Sequence, residues 1–135
     1  MDDNAKSYKI LFLDDDQFIL EMYSVKFANT KHEVRFASSA DEAKKILEEG
    51  FEPDAIVFDL IMPGVQGFDF IADIKKDALA KNAALVALTN QGEVEDYDRA
   101  DKLHIDAYII KANHIPTEVV ALIENAIEKK KQNNN

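Results

Sequence analysis

Short apolar runs alternate along this chain with longer amphipathic segments. Four of the runs are nearly continuous in apolar residues: KILFL (9–13), DAIVF (54–58), AALVAL (83–88) and AYII (107–110). A fifth, EVRFA at 33–37, alternates polar and apolar positions. Strands that are buried on both faces appear as continuous apolar runs, so this pattern predicts a parallel sheet covered by helices on both sides.

The segments between these runs predict helices. The stretch SADEAKKILEEG (39–50) places Ser39 and Glu42 at capping-box spacing and stops at Gly50. The stretch PTEVVALIENAIEKKK (116–131) begins with a proline and ends with lysines, as helices often do. Weaker patterns predict three more helices, at 16–29, 67–76 and 93–103.

The order of these elements predicts the fold class. Strand and helix alternate five times, which is typical of a doubly wound α/β fold with a five-stranded parallel sheet. The alternating strand at 33–37 has one face partly in water, so we place it at an edge of the sheet. Right-handed crossovers then give the strand order 2-1-3-4-5.

Polar side chains follow four of the five predicted strands. The carboxyl ends of parallel strands meet at one edge of a sheet, so we expect these side chains to lie in a single crevice. They are Asp14, Asp15 and Asp16 after the first strand, Asp59 after the third, Thr89 after the fourth and Lys111 after the fifth. We interpret Asp16 as a helix N-cap and the other residues as the chemical site.

Clustered carboxylates repel one another, and a cation would offset that repulsion. Carboxylate oxygens and water suit a hard divalent cation such as Mg²⁺, which also binds phosphate oxygens. A carboxylate can attack phosphorus to form an acyl phosphate. A lysine and a hydroxyl would then neutralise and orient the transferred group. The sequence therefore predicts phosphoryl chemistry at this edge.

Composition narrows the classes of partner. The 135 residues carry a net charge of −10 and no cysteine. This charge argues against direct binding to nucleic acid or to anionic membranes, and the lack of cysteine excludes disulfides and zinc thiolate sites. The start, MDDNAKSYK, does not resemble a secretory signal, so we expect a cytoplasmic location. We expect a disordered N-terminus at 1–7, one domain at 8–128 and a polar tail at 129–135.

The quoted motifs resemble those of response-regulator receiver domains of two-component signalling, including stand-alone chemotaxis regulators. The resemblance rests on LFLDDDQF, DAIVFDLIMPGVQGFD, ALTN and AYIIK, which occur in family order and spacing. It covers nearly the whole chain and implies a flavodoxin-like, three-layer α/β/α fold. It also implies a phosphoprotein that acts as a phosphorylation switch or within a phosphorelay.

The resemblance assigns roles to the acidic residues. It implies that Asp59 accepts the phosphoryl group and also binds the metal. It implies that Asp15 binds Mg²⁺ directly, and that Mn²⁺ can substitute. Asp14 would assist largely through water, and the backbone carbonyl of Ile61 would supply a further ligand.

The resemblance also assigns roles to three other residues. It implies that Thr89 contacts the phosphoryl group and that Tyr108 changes position with it. It implies that Lys111 pairs first with the acceptor carboxylate and then with the phosphate. Such a domain is not a conventional enzyme, although it catalyses its own phosphoryl transfer and dephosphorylation.

The resemblance names classes of partner as well. The phosphoryl donor would be a sensor histidine kinase or a histidine phosphotransfer protein. An unidentified downstream protein would bind the surface formed by the fourth helix, the fifth strand and the fifth helix. We expect no direct contact with nucleic acid and none with a membrane.

The chain departs from the family pattern at a few positions. Ala112 stands after the lysine, where proline is usual, which leaves the loop geometry open. His104 stands where a glycine often ends the fourth helix, at a position that can require positive φ. Asn90 replaces a very small residue after the threonine. We interpret Gly67, together with Pro63 and Gly64, as serving only the turn into the third helix.

Two alternatives to the switch remain open. The triplet Asp14 to Asp16 contains the D-x-D pattern of haloacid-dehalogenase-like phosphatases, in which Asp14 would be the nucleophile. The short chain and the turn after Asp59 fit that class poorly. The other alternative is a receiver-like interaction module that is never phosphorylated, and the complete acidic site argues against it.

Overall fold

The computed structural model describes residues 6–62, 65–90 and 94–133 and contains a five-stranded sheet flanked by helices. The strands are β1 (Lys9–Leu13), β2 (Glu33–Ala37), β3 (Ala55–Phe58), β4 (Ala84–Thr89) and β5 (Ala107–Ile110). The helices are α1 (Gln17–Ala28), α2 (Ala40–Glu48), α3 (Gly67–Lys76), α4 (Val94–Lys102) and α5 (Pro116–Asn133). A short antiparallel ribbon pairs Ile61–Met62 with Val65–Gln66.

The sheet has the predicted order, β2-β1-β3-β4-β5, and every neighbouring pair of strands is parallel. In β2 the exposed residues Glu33 and Arg35 alternate with more buried ones, as expected at an edge. The opposite edge differs from its sequence pattern. In β5 only Ile109 is buried, because an edge strand lacks a neighbour on one side even when its sequence is continuously apolar.

Two hydrophobic cores lie on the two faces of the sheet. Alternate residues of each central strand point to opposite faces. In β1, Leu11 joins the core beneath α2 and α3, and Phe12 joins the core beneath α1 and α5. In β3, Ile56 and Val57 divide in the same way. This double burial explains the continuous apolar runs in the sequence.

The helix ends confirm several local predictions. Ser39 Oγ accepts a hydrogen bond from the Glu42 backbone N–H at 3.1 Å, and the Glu42 carboxylate accepts one from the Ser38 N–H at 2.7 Å. Gly50, with φ of 108°, follows the end of α2. His104 adopts the predicted left-handed conformation after α4, with φ of 58°.

The last helix is longer than the sequence pattern indicates. It continues to Asn133, so residues 129–133 of the expected polar tail are helical. Lys131 Nζ lies 2.8 Å from Asp54 Oδ1, and Lys130 Nζ lies 3.7 Å from Asp106 Oδ1. These ion pairs attach the last turns of α5 to the sheet.

Residues 6 and 7 of the expected disordered N-terminus also make contacts. Lys6 Nζ lies 3.1 Å from Glu128 Oε2 on α5, and Ser7 Oγ donates to the Lys31 carbonyl at 2.8 Å. Across the described part of the chain, no helix is both long enough and apolar enough to span a membrane.

Candidate functional site

Asp59 lies directly after β3, at the carboxyl edge of the sheet. Its backbone N–H donates to the Leu13 carbonyl at 3.2 Å, which extends the pairing of β3 with β1 by one residue. Its Oδ1 accepts a hydrogen bond from the Ile61 N–H at 3.2 Å. The residue is 9% exposed, so the carboxylate is anchored by its own loop and still reaches solvent.

The aspartate triplet follows β1 at the same edge. Asp14 is 1% exposed, and its Oδ1 accepts a hydrogen bond from the Asp16 N–H at 3.0 Å. Asp16 caps α1 by accepting from the Phe18 N–H at 2.9 Å, which confirms its interpretation as an N-cap. Asp15, between them, is exposed.

Three carboxylates meet in one cluster. Asp14, Asp15 and Asp59 each offer an oxygen, and these three oxygens all lie within 4.8 Å of one another. The donors are hard oxygens at varied burial, which is the donor chemistry that Mg²⁺ and similar cations take in proteins. The cluster could therefore hold a metal ion.

Lys111 places one cation beside these carboxylates. Its Nζ lies 2.7 Å from Asp14 Oδ2 and 3.2 Å from Asp59 Oδ2. The sequence-based prediction paired it with Asp59 alone, whereas the structure shares it between the two acids. Three carboxylates and one ammonium leave an excess of two negative charges, which a divalent cation would offset.

Burial acts on the pKa values of groups in and near this cluster, and hydrogen bonds and charges add to its effect or oppose it. Burial raises the pKa of Asp14, although the hydrogen bonds from Lys111 and from the Asp16 N–H partly oppose the rise. Burial lowers the pKa of Lys111, but its hydrogen bonds and charge contacts with Asp14 and Asp59 outweigh burial, so the pKa is raised overall. Burial, with a contribution from the charge of Asp14, raises the pKa of Tyr23 to about 12. The ionised form of Asp14 is therefore only partly compensated by the protein.

Thr89 and Tyr108 lie on the two neighbouring strands at this side of the sheet. Thr89 is the last residue of β4 and is 1% exposed. Tyr108 pairs in register with Ala87 of β4, and its ring centroid lies 4.5 Å from that of Tyr97 on α4. This arrangement brings Thr89 to the predicted edge, while the predicted roles of both residues in switching stay predictions.

Two uncharged residues follow Asp59 and Thr89 closely in sequence. Ile61 is 52% exposed two positions after Asp59, and Asn90 is exposed directly after Thr89. The role of the Ile61 carbonyl as a metal ligand stays a prediction. Pro63 and Gly64 of the predicted turn lie outside the described residues, as does Gln91, which we expect to flank the path of the water that hydrolyses the acyl phosphate.

Gly67 has a role that the sequence reasoning missed. A Cβ at this position would overlap the Asp59 carbonyl oxygen and lie 2.9 Å from Leu60 Cα. The Gly67 N–H also donates to the Leu60 carbonyl at 2.9 Å. The glycine therefore lets α3 begin directly against the backbone of Asp59. The sequence signal for this close contact is a glycine at the first position of a predicted helix, eight residues after a candidate acid.

The loop after Lys111 forms a short 3₁₀ turn at Lys111–Asn113. The peptide bond between Lys111 and Ala112 is trans. The absence of the usual proline therefore leaves the lysine in place, with Nζ directed to Asp14 and Asp59.

Comparison with known proteins supplies a family and a fold. A family model described as the response regulator receiver domain matches residues 10–124. The phosphate regulon transcriptional regulatory protein PhoB of Escherichia coli is 31% identical over 121 residues, which are 90% of this chain and 52% of PhoB. The chain thus spans about half the length of the curated relatives it matches.

Solved structures agree with this match. A response regulator receiver domain protein from Clostridium thermocellum is 30% identical, with a TM-score of 0.78 over 92% of this chain and 97% of that one. The chemotaxis protein CheY4 of Vibrio cholerae is 21% identical, with a TM-score of 0.81 over 90% of this chain and 99% of its own. The second likeness concerns the fold alone.

Proposed function

The chain belongs to the response regulator receiver family, a phospho-acceptor signalling family of two-component systems, and we propose that Asp59 is its phosphoryl acceptor. The donor would be a phosphohistidine of a sensor histidine kinase or of a histidine phosphotransfer protein. The observation that supports this most is the charge imbalance of the site, where three carboxylates share one lysine. A site of this kind is suited to receive a cation together with an anionic group.

The residues fit a bound Mg²⁺ through their oxygen donors. Asp14, Asp15 and Asp59 would hold the ion, with the Ile61 carbonyl as a further ligand, and Mn²⁺ would substitute. When bound, the ion supplies positive charge that offsets the carboxylates and the phosphoryl oxygens.

The transfer step is a substitution at phosphorus. An oxygen of the Asp59 carboxylate attacks the phosphorus atom, the bond from phosphorus to the donor nitrogen breaks, and an acyl phosphate forms on Asp59. Lys111 already contacts Asp59 Oδ2 and would follow the charge onto the phosphoryl oxygens. Thr89, at the end of the neighbouring strand, would donate its hydroxyl to one of those oxygens.

We propose that the same movement carries the signal. A Thr89 hydroxyl drawn toward the phosphoryl group leaves space that the Tyr108 ring can enter. Because Tyr108 contacts Tyr97 on α4, its movement would alter the surface of α4, β5 and α5. A downstream protein would bind there, and we expect no direct contact of this domain with nucleic acid or with a membrane.

Loss of the signal requires a water in line with the acyl phosphate. Ile61 offers that water no hydrogen bond, and Asn90 narrows its approach compared with alanine or glycine. We therefore propose that the domain catalyses its own dephosphorylation slowly, so that the signal is durable or is erased by a separate phosphatase.

Labelling by a small phosphoryl donor tests the proposal. Acetyl phosphate should label the wild-type protein only when Mg²⁺ is present. Asp59→Asn should abolish labelling, and Asp54→Asn, at the opposite edge of the sheet, should leave it unchanged. Normal labelling of Asp59→Asn would overturn the assignment.

A further inference from the structure

The described side chains of helix α4 bury little apolar surface. Among its residues 97–102, whose side chains the structure describes, only Ala100 is buried. Half-buried Leu103 and Ile105, directly after the helix, join the core beneath α2 and α3. A helical segment with so little buried apolar surface depends on its individual side-chain contacts, and a change in one of them can change its position.

Arg99 makes one such contact, between α4 and the start of α3. Its guanidinium carbon lies 4.8 Å from the centroid of the Phe68 ring, within the range of cation–π attraction. One of its terminal nitrogens lies 3.3 Å from Asp69 Oδ1. The two partners are consecutive residues in the first turn of α3, so Arg99 joins α4 to that turn through both stacking and charge.

The first turn of α3 is packed against the acceptor loop. Phe68 is buried, and its ring meets the Phe58 ring edge-on at 6.4 Å between centroids. Phe58 directly precedes Asp59. At Gly67 the helix backbone lies so close to Asp59 and Leu60 that no Cβ fits. A displacement of this turn therefore has to move the backbone that carries Asp59.

We propose that Arg99 is a positioning residue that couples α4 to the acceptor loop and holds the arrangement of the unphosphorylated protein. The inference rests on the proposed function and concerns its regulation. Through Arg99, α4 contacts the turn beside Asp59, and through Tyr97 it contacts Tyr108. The helix thus bridges the acceptor loop and the proposed switch residue on β5.

The proposal that phosphorylation breaks the Arg99 contact sets the direction of the effect. A contact present in only one of two arrangements stabilises that arrangement, and its removal favours the other. Loss of the Arg99 contact should therefore make the phosphorylated arrangement easier to reach. The affinity for a phosphoryl analogue should rise, whereas loss of a contact that only supports the fold should leave it unchanged or lower it.

The chain offers a matched control in Arg35. Its guanidinium carbon also lies 4.8 Å from the centroid of an aromatic ring, that of Phe51, and it also pairs with a neighbouring acid, Glu33, at 3.2 Å. Arg35 projects from edge strand β2, and neither of its partners belongs to the acceptor loop. The two arginines share one chemistry and differ in what they connect.

The test compares Arg99→Met, Arg99→Lys and Arg35→Met with the wild-type protein. The probe is beryllofluoride with Mg²⁺, titrated while the backbone amides are followed by NMR. Arg99→Met should bind the probe roughly threefold more tightly, at the low end of measured mutational effects on coupling. Arg99→Lys keeps the charge beside Asp69 and loses the planar group over Phe68, so its affinity for the probe should lie between those of Arg99→Met and the wild type. Arg35→Met should bind the probe with the affinity of the wild type.

Hydrogen exchange supplies a second readout on the unliganded proteins. The α4 amides should exchange faster in Arg99→Met than in Arg35→Met. Equal or weaker probe binding by Arg99→Met, with normal binding by the wild type, would overturn the coupling role and leave the proposed function intact. Absence of probe binding by the wild type would overturn both.

Discussion

Aspartates lie both at the carboxyl ends of the strands, the carboxyl edge, and at their amino ends, the amino edge, but the two groups differ in how their charges are matched. At the carboxyl edge, Asp14, Asp15 and Asp59 share Lys111. Burial raises the pKa of Asp14, which means that its ionised form is poorly compensated there. This edge holds more negative charge than its own residues neutralise.

At the amino edge each aspartate has a lysine of its own. Asp54 directly precedes β3, accepts the Lys9 N–H at 2.8 Å and binds Lys131 at 2.8 Å. Asp106 directly precedes β5 and repeats the arrangement, with the Leu85 N–H at 2.8 Å and Lys130 at 3.7 Å. In both cases the carboxylate satisfies a strand N–H and a cation at once.

We expect this difference to separate structural acids from functional ones. A paired acid that also caps a strand N–H adds stability and has little left to offer a ligand. An acid in an unbalanced cluster costs stability until a cation or a chemical group arrives. We therefore expect the ratio of carboxylates to lysines at each edge, more than burial alone, to distinguish the proposed site in this fold.

Removal of Asp15 should give the largest contrast between the edges. Mg²⁺ should stabilise the wild-type protein by about 2.7 kcal/mol at a concentration about 100 times its Kd. Asp15→Asn should abolish this gain, and without metal it should be more stable than the wild type by about 1 kcal/mol, since a repelling charge is gone. Chemical denaturation with and without Mg²⁺ measures both effects.

The matched variant for that measurement is Asp106→Asn at the amino edge. It loses the charge that faces Lys130 and should be less stable than the wild type. Mg²⁺ should stabilise it by the same amount as the wild type. If Mg²⁺ stabilised Asp15→Asn as much as the wild type, or failed to stabilise Asp106→Asn, the distinction between the two edges would be refuted.

Gly67→Ala should have the next largest effect. The added Cβ meets backbone atoms of Asp59 and Leu60, which cannot rotate away, and overpacking of this kind costs about 1–3 kcal/mol. Mg²⁺ affinity should fall as well, because the displaced backbone carries Asp59. Thermal unfolding and Mg²⁺ titration report the two effects.

Gly50→Ala is the control for Gly67→Ala. Gly50 has φ of 108° and open space around its Cβ position, so alanine should cost roughly 1–2 kcal/mol of backbone strain and leave Mg²⁺ affinity unchanged. Equal Mg²⁺ affinities in the two variants would show that Gly67 acts on the fold alone.

Ile61 and Asn90, the uncharged residues that follow Asp59 and Thr89, should affect the lifetime of the label. Ile61→Asn gives the attacking water a hydrogen-bonding partner, and adding Asn90→Ala widens its approach. Loss of label should therefore become faster in that order, by a few-fold at each step. Val25→Asn, which replaces an exposed apolar residue on α1, should lose its label at the wild-type rate. Unchanged or slower decay in both site variants would refute the proposed gate.

The smallest effect is expected at Lys131. Lys131→Met breaks its half-exposed pair with Asp54, and such pairs are worth about 0.2–1 kcal/mol, less in high salt. Labelling of Lys131→Met by acetyl phosphate should be normal.

Lys111→Met is the contrasting variant and should slow labelling by acetyl phosphate strongly. Equal labelling of Lys111→Met and Lys131→Met would contradict the role given to Lys111.

Much of the fold follows from local patterns. Continuous apolar runs indicate the central strands because both of their faces are covered, and the alternating pattern of 33–37 places β2 at an edge. Caps are local as well, so Asp16 and the left-handed His104 could be predicted from neighbouring residues. The acidic cluster was predictable because each member follows a strand.

Contacts between distant residues have no such local signature. The last turns of α5 pair with Asp54 and Asp106 across the molecule, so the pattern of 129–135 indicates only a polar tail. The sharing of Lys111 between two acids and the stacking of Arg99 on Phe68 depend on how helices and loops pack. These features required the structure.

The most direct test of the central claim is to locate the phosphoryl group on the wild-type chain. The protein is labelled with a small phosphoryl donor and Mg²⁺, digested, and mapped by mass spectrometry of its peptides. The expected result is a single labelled residue, Asp59. A label on Asp14 would indicate phosphatase-like chemistry, and no label on any residue would indicate an interaction module; either result would contradict the assignment of Asp59 as the phosphoryl acceptor.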